Sequence, residues 1–180
     1  ADWNSMEEYF EVLEKNGVGI NCVSLVGQET LFKNADDPSG RLFLLKKSLK
    51  EGGWGLSSNF SFHPDLDPGF EEETTALLWA VKKSGGIFKI HLRDEGKNFL
   101  PAVVKSIDLA RRSNVKTIIS HLKAVGRGAW SDFQKAINMI DRARKEGVDI
   151  TFDVFPYLRT GARLVSLLPL WAREGGNNKI

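Results

Sequence analysis

Two histidines carry the chemistry this sequence offers most openly. His91 closes the run Ile87-Phe88-Lys89-Ile90-His91, and His121 closes Thr117-Ile118-Ile119-Ser120-His121. Each run is short and rich in β-branched or aromatic residues, as a buried strand would be. A basic residue stands two places after each histidine, Arg93 in the first case and Lys123 in the second. Imidazole is a common zinc ligand, and a catalytic zinc takes three protein ligands and keeps one position open for water. A guanidinium or ammonium beside such a site complements a carboxylate. Arg93 and Lys123 read equally as solvated charges at strand ends.

The elements that would position these residues repeat along the chain. Ser5-Met6-Glu7-Glu8 is a capping box before an amphipathic helix that stops at Asn16-Gly17. Val18 to Val26 reads as a strand containing Cys22, and residues 28–40 read as loop, rich in Asn, Asp, Pro and Gly. Helices are predicted over Arg41 to Lys50, Glu71 to Lys83, Asn98 to Arg112 and Ala129 to Lys145. Strands are predicted over Trp54 to Ser58, the two histidine runs and Val148 to Phe155. Leu164 to Trp171 is an apolar, helix-compatible segment before a polar tail.

Units of roughly 30 residues alternating strand and helix fit right-handed βαβ crossovers in a parallel sheet. The polar residues gather at the carboxyl ends of the predicted strands: Ser57 and Ser58, His91 and Arg93, His121 and Lys123, Asp153. Barrels and open α/β sheets both place ligands at that end. No glycine-rich nucleotide loop follows any strand. The five predicted strands fall short of the eight strands and about 250 residues of a closed barrel. The fold class is therefore α/β, either an open five-stranded sheet or a partial (β/α) barrel.

Several motifs in register resemble the N-acyl-D-amino-acid deacylases, the D-aminoacylases of the amidohydrolase superfamily. They are Gly55-Leu56-Ser57-Ser58, His91-Leu92-Arg93-Asp94-Glu95, Ser120-His121-Leu122-Lys123, Asp153-Val154-Phe155-Pro156-Tyr157 and Leu168-Pro169-Leu170-Trp171. Trp3 to Tyr9 and Ile20-Asn21 to Val26-Gly27 are similar to the segment that precedes them in the family. The resemblance implies a zinc-dependent hydrolase that cleaves the amide of an N-acyl-D-amino acid, on a distorted barrel whose third to seventh strands this chain supplies. It implies one incomplete barrel domain over residues 1–180, with 170–180 as a polar tail.

By the same resemblance His91 and His121 match metal-ligand histidines, and Lys123 matches a residue that holds the substrate carboxylate. Tyr157 lies in the motif whose tyrosine contacts the reacting amide, and Arg93 joins these as a substrate-side residue. Asp153 would orient a ligand from behind or bond to neighbouring backbone. The family's strand-one His-x-His pair, its early cysteine ligand and its strand-eight aspartate have no match in this chain, so no catalytic residue is assigned within it. Gln28, Phe32 and Phe155 stand where the family favours histidine, arginine and tyrosine, and the last change removes a hydroxyl near the reacting amide.

These absences lead to the expectation of a fragment without turnover of its own, with three alternatives: a non-catalytic scaffold remnant, one subunit of a split enzyme, or an amidohydrolase acting on cyclic amides or imides. Asp94-Glu95 is expected to cap or begin the next helix rather than act as a base. His63 is expected at the surface, Cys22 as a buried small hydrophobe, and Trp54, Trp79, Trp130 and Trp171 as packing residues.

Composition limits the partners. With 25 basic and 23 acidic residues the net charge is only +2, which gives no electrostatic case for nucleic acid or membrane surfaces. No apolar run is long enough to span a bilayer, and Ala1-Asp2-Trp3-Asn4 is not a secretory signal. One cysteine permits no internal disulfide and suits a reducing compartment, hence a cytoplasmic location. The abrupt start reads like a chain cut from a longer one. Open sheet edges predict self-association.

Overall fold

The strand Ile87–His91, β3, alternates: Phe88 and Ile90 are fully buried while Ile87, Lys89 and His91 are half-buried. One face of the sheet is thus packed against helices and the other forms a polar, partly open surface. The computed structural model describes residues 3–60, 68–159 and 161. Around β3 lie β1 (Val26–Gly27), β2 (Gly55–Asn59), β4 (Lys116–Leu122) and β5 (Ile150–Val154). All pair in parallel, in the spatial order β1-β2-β3-β4-β5.

That order follows the chain without a reversal. With crossovers of one hand, such a sheet has no switch point and keeps its helices on one face, as a barrel wall does. The helices are α1 (Met6–Asn16), α2 (Gln28–Asn34), α3 (Pro38–Lys50), α4 (Pro68–Lys83), α5 (Phe99–Ser113) and α6 (Arg127–Lys145). Successive helices from α2 to α6 touch one another. The core between helices and sheet includes Leu56, Leu77, Phe88, Ile90, Val103, Ile119 and Ile140, all without solvent exposure. The architecture is a partial barrel of five parallel strands, and the open-sheet alternative falls away.

Local signals start and stop these elements. Ser5 caps α1 by accepting from the Glu8 amide at 3.1 Å, while the Glu8 carboxylate reaches the Asn4 amide. Asp37 accepts from the Gly40 amide, and Pro38 occupies the first turn of α3. At Gly55 an added Cβ would overlap the carbonyl of Ile87, so the close approach of β2 to β3 requires glycine there.

The amino-terminal third differs from expectation. Of the predicted Val18–Val26 strand only Val26 is paired, together with Gly27 just beyond it, and Val18, Ile20 and Val23 are exposed. β1 has β2 on one side and no other strand beside it among the described residues, and β-propensity without a partner surface does not make a strand. The predicted loop over residues 28–40 contains α2, and α3 begins at Pro38 rather than Arg41. Arg41 ties this region down: its guanidinium pairs with Glu73 at 2.5 and 2.9 Å, donates to the Ala35 and Asp36 carbonyls and lies over the Phe32 ring at 4.3 Å. Trp54, Trp79 and Trp130 are 54%, 59% and 62% exposed, so they are surface residues rather than packing ones. Cys22 is also exposed. His63, Leu164–Leu170, Trp171 and the 170–180 tail lie outside the described residues.

Candidate metal centre

His91 reaches the concave face by ordinary alternation, with Ile87 and Lys89 on the same side. His121 does not. In β4, Thr117 and Ile119 are buried toward the helices, and strict alternation would put residue 121 with them. Instead the β4–β5 register runs Ile119↔Phe152 and then Leu122↔Val154, so two residues, Ser120 and His121, stand opposite one, Asp153. This is a β-bulge, and it turns the extra side chain to the concave face. His121 adopts φ +38°, the left-handed region that few non-glycine residues occupy. Its amide donates to Asp153 Oδ1, so the donor freed by the bulge is satisfied by a side chain of the partner strand. Asp153 Oδ2 also pairs with Lys89 Nζ at 2.9 Å.

The outcome is a convergence of imidazoles from neighbouring strands. His91 Nδ1 and His121 Nε2 are 2.8 Å apart, with ring planes inclined at 65°. On the other side of the His121 ring, Nδ1 meets Glu95 Oε1 at 3.1 Å and Lys123 Nζ at 2.9 Å. Lys123 Nζ also pairs with Glu95 Oε1 at 2.7 Å and faces the Phe155 ring at 5.5 Å. The ligand atoms of His91, Glu95 and His121 all lie within 4.8 Å of one another.

Burial holds the pKa of His91 below the usual histidine value; Glu95 opposes this, while His121 and Lys123 add to the lowering. A neutral imidazole is the form that ligates metal, so the environment favours the ligating state. Asp153 is held below the usual carboxylate range. Burial alone would raise it, and the Lys89 pair and the His121 amide outweigh burial.

The donor set suits a borderline ion. Two nitrogens each ~2.0 Å from a tetrahedral zinc lie about 3.3 Å apart, so this pair needs to open by about half an ångström to admit one. Paired imidazole nitrogens are the donors of zinc sites rather than of magnesium or calcium sites.

The structure brings together only part of the set picked out by sequence. His91, His121, Lys123 and Asp153 form one cluster. Tyr157 is 71% exposed and packs edge-on against Phe155. Arg93 lines a separate cavity of about 80 Å³ between α4 and α5, with Phe60, Ser106 and Leu109, and makes no hydrogen bond or ion pair among the described residues. Gln28, at the start of α2, is buried toward α4, where its amide donates to Thr74 at 2.9 Å.

Glu95 is the residue that sequence reasoning missed. Asp94-Glu95 does not begin α5, which starts at Phe99 after Asn98. Asp94 instead closes the loop by accepting from the Gly96 amide and the Asn98 side chain, which leaves Glu95 directed at the histidines. A carboxylate four residues after a strand-end histidine was the available signal.

Comparison with known proteins follows the same lines. No protein-family model matches the chain. The N-acyl-D-glutamate deacylase of Alcaligenes xylosoxydans xylosoxydans is 29% identical over 162 residues, 84% of this chain and 33% of that protein. The D-aminoacylase of the same organism is 23% identical over 161 residues, with the same coverage. Its N-acyl-D-aspartate deacylase is 25% identical over 171 residues, 89% of this chain and 34% of that protein. Among solved structures, a Bordetella bronchiseptica N-acyl-D-glutamate deacylase, complexed with zinc and a phosphonate inhibitor, superposes with a TM-score of 0.74 at 24% identity; the match covers 85% of this chain and 34% of that one. A D-aminoacylase crystal structure gives 0.76 at 23% identity, covering 86% and 34%. The chain spans about a third of the length of the curated relatives it matches.

Proposed function

From this kinship with the N-acyl-D-amino-acid deacylases, we propose that the chain supplies the metal-holding wall of a hydrolase that cleaves the amide of N-acyl-D-amino acids. The observation that carries the reading is the approach of His91 Nδ1 to His121 Nε2, produced by the β4 bulge. In this reading the two nitrogens hold zinc. When bound, zinc polarises the acyl oxygen and makes water nucleophilic near neutral pH.

The chain's own residues have narrower tasks. His91 Nδ1 and His121 Nε2 face one point. Asp153 and Lys89 keep the His121 backbone in the conformation that aims the ring. Lys123 supplies positive charge for the carboxylate of an N-acyl-D-amino acid, N-acyl-D-glutamate and N-acyl-D-aspartate being the first to try. That charge is shared with Glu95 in the present geometry, so the substrate carboxylate joins or displaces an existing pair. Arg93 and Tyr157 are assigned to the substrate side only after movement toward the cluster. We assign no general base within this chain and expect no turnover from it in isolation.

A second reading concerns the partner. The outer edges of β1 and β5 carry no strand among the described residues, and Val154 on β5 is 58% exposed. Such edges favour completion by further strands, from a second copy or from a companion subunit. No helix among the described residues is long and apolar enough to cross a membrane. The cytoplasm is the location we propose.

Zinc titration by calorimetry, beside His91→Ala and His121→Ala, tests the main reading. Stoichiometric binding lost in both variants supports it. A folded wild-type chain that takes up no zinc removes it and leaves a scaffold. Size-exclusion chromatography over a concentration series tests association, and a monomer throughout counts against it.

A further inference from the structure

A histidine that binds metal through Nε2 needs its proton on Nδ1, and the partner at Nδ1 decides how firmly that form is held. The Nε2 of His121 faces His91 and its Nδ1 faces Glu95 Oε1 and Lys123 Nζ, at 3.1 and 2.9 Å. These two neighbours ask for opposite tautomers. The carboxylate accepts a hydrogen bond from a protonated Nδ1, which leaves Nε2 free to ligate. The ammonium donates to Nδ1, which places the proton on Nε2 and closes the position toward His91.

Glu95 is built to hold its place. Its side chain is only 13% exposed, and its backbone carbonyl accepts from the Val125 amide at 2.6 Å, which clamps the loop after β3 to the loop after β4. Asp94 braces the same loop from inside through Gly96 and Asn98. The carboxylate meets the His121 ring at the nitrogen remote from His91, so its position is that of an orienting group rather than a third ligand at the shared point.

We propose that Glu95 is the positioning residue of this pair, accepting a hydrogen bond from the Nδ1–H of His121 so that Nε2 is presented to a metal shared with His91, while Lys123 competes for the same nitrogen. Ion uptake and the freeing of Lys123 are then coupled. Once Nδ1 carries the proton, Lys123 loses one of its two polar partners and is more available to an incoming carboxylate. The proposal rests on the metal reading above and adds a residue to which the sequence reading gave no role at the metal.

The test is long-range ¹H–¹⁵N correlation of the histidine rings in the labelled chain, with calorimetric zinc titration of wild type, Glu95→Ala, Glu95→Gln and Lys123→Met, each checked for fold by circular dichroism. Zinc-loaded wild type is expected to carry the His121 proton on Nδ1. Glu95→Ala is expected to bind zinc about 10–100-fold more weakly. Glu95→Gln, which keeps an accepting oxygen, should fall between, and Lys123→Met should bind at least as tightly as wild type. A zinc-loaded His121 protonated on Nε2, or unchanged affinity in Glu95→Ala, overturns the proposal. Loss of all binding in Glu95→Ala, equal to that in His91→Ala, overturns it in favour of a direct ligand. A wild type that binds no zinc defeats the metal reading instead. Glu95 is then judged on the metal-free rings, where Glu95→Ala must lower the Nδ1-protonated fraction of His121, and an unchanged fraction refutes its role.

Discussion

Replacing Asp153 separates the aim of His121 from its chemistry. Asp153 Oδ1 accepts the amide of a residue at φ +38°, and Oδ2 holds Lys89 at 2.9 Å. A non-glycine residue in the left-handed region costs about 1–2 kcal/mol, which the surroundings must offset. A hydrogen bond to a charged group contributes about 1.5–3 kcal/mol, and the 47% exposure of the Asp153 side chain argues for the low end. The Lys89 pair, exposed on both sides, adds about 0–1 kcal/mol. Asp153→Ala should therefore lower unfolding free energy by about 1.5–2.5 kcal/mol. It should also release His121 toward extended geometry and weaken zinc uptake by about 10-fold or more. Asp153→Asn keeps an oxygen for the amide and loses only the Lys89 pair, so its losses should be less than half as large. Urea titration reads the stability and calorimetry reads the zinc. An Asp153→Ala chain that is destabilised but binds zinc like wild type would refute the claim that this bond aims the imidazole.

Other expectations follow from the same contacts. The folded pKa values of His91 and Asp153 are both depressed, so each contributes stability above its unfolded value that is lost as pH falls through its folded value. Urea midpoints should decline as pH drops below 6.5 and decline again below 3.8, the ordinary values of the two groups, and His91→Asn should flatten the upper step. Zinc at about 100 times its dissociation constant should stabilise the chain by about 2.7 kcal/mol, reversed by chelation. Arg41→Met strands Glu73 in a site where both side chains are about nine-tenths buried, at a cost of about 3–5 kcal/mol; adding Glu73→Met should recover most of it in a double-mutant cycle. Gly55→Ala should lower unfolding free energy by at least the overpacking cost of about 1–3 kcal/mol, read as a fall in melting temperature, because backbone rather than a side chain obstructs it.

How much was legible in the sequence depended on how local each cause is. The helices α4, α5 and α6 and the strands β2 to β5 follow from hydrophobic periodicity and from stops such as Ser84-Gly85-Gly86 and Gly147, so their existence and order could be read. The Val18–Val26 strand could not be, because its fate depends on whether another strand stands beside it, and no local feature records that. Residues 28–40 look like loop because Asn34, Asp36, Asp37 and Pro38 cluster there, yet two of those residues cap and open α3 rather than fill a loop. At the site, the strand-end position of the histidines was visible. The direction of His121 was not, since alternation from Thr117 and Ile119 sends it toward the helices. Glu95 was hidden for a related reason: its partner is 26 residues away, and the acidic pair before a helix suggested a cap.

The Lys89–Asp153 pair ties together the strands on either side of His121. Lys89 is on β3 and Asp153 on β5, with β4 between them. Strands two apart in a sheet are separated by about 9.6 Å, a span that a leaning lysine stem and a carboxylate cross to meet at 2.9 Å. Beneath this contact lies the β4 bulge, and the acceptor that satisfies the His121 amide is the same carboxylate that Lys89 holds. Ion pair, bulge and ligand aim are thus one arrangement. Separating Lys89 from Asp153 weakens the hold on His121 and lets residue 121 return toward the parity of Ile119. Lys89→Met should therefore diminish zinc uptake in the same direction as Asp153→Asn, although Lys89 touches neither histidine in any hydrogen bond of the structure. Equal zinc affinity in Lys89→Met and wild type would separate the ion pair from the aim and leave the bulge to be explained by β4 and β5 alone.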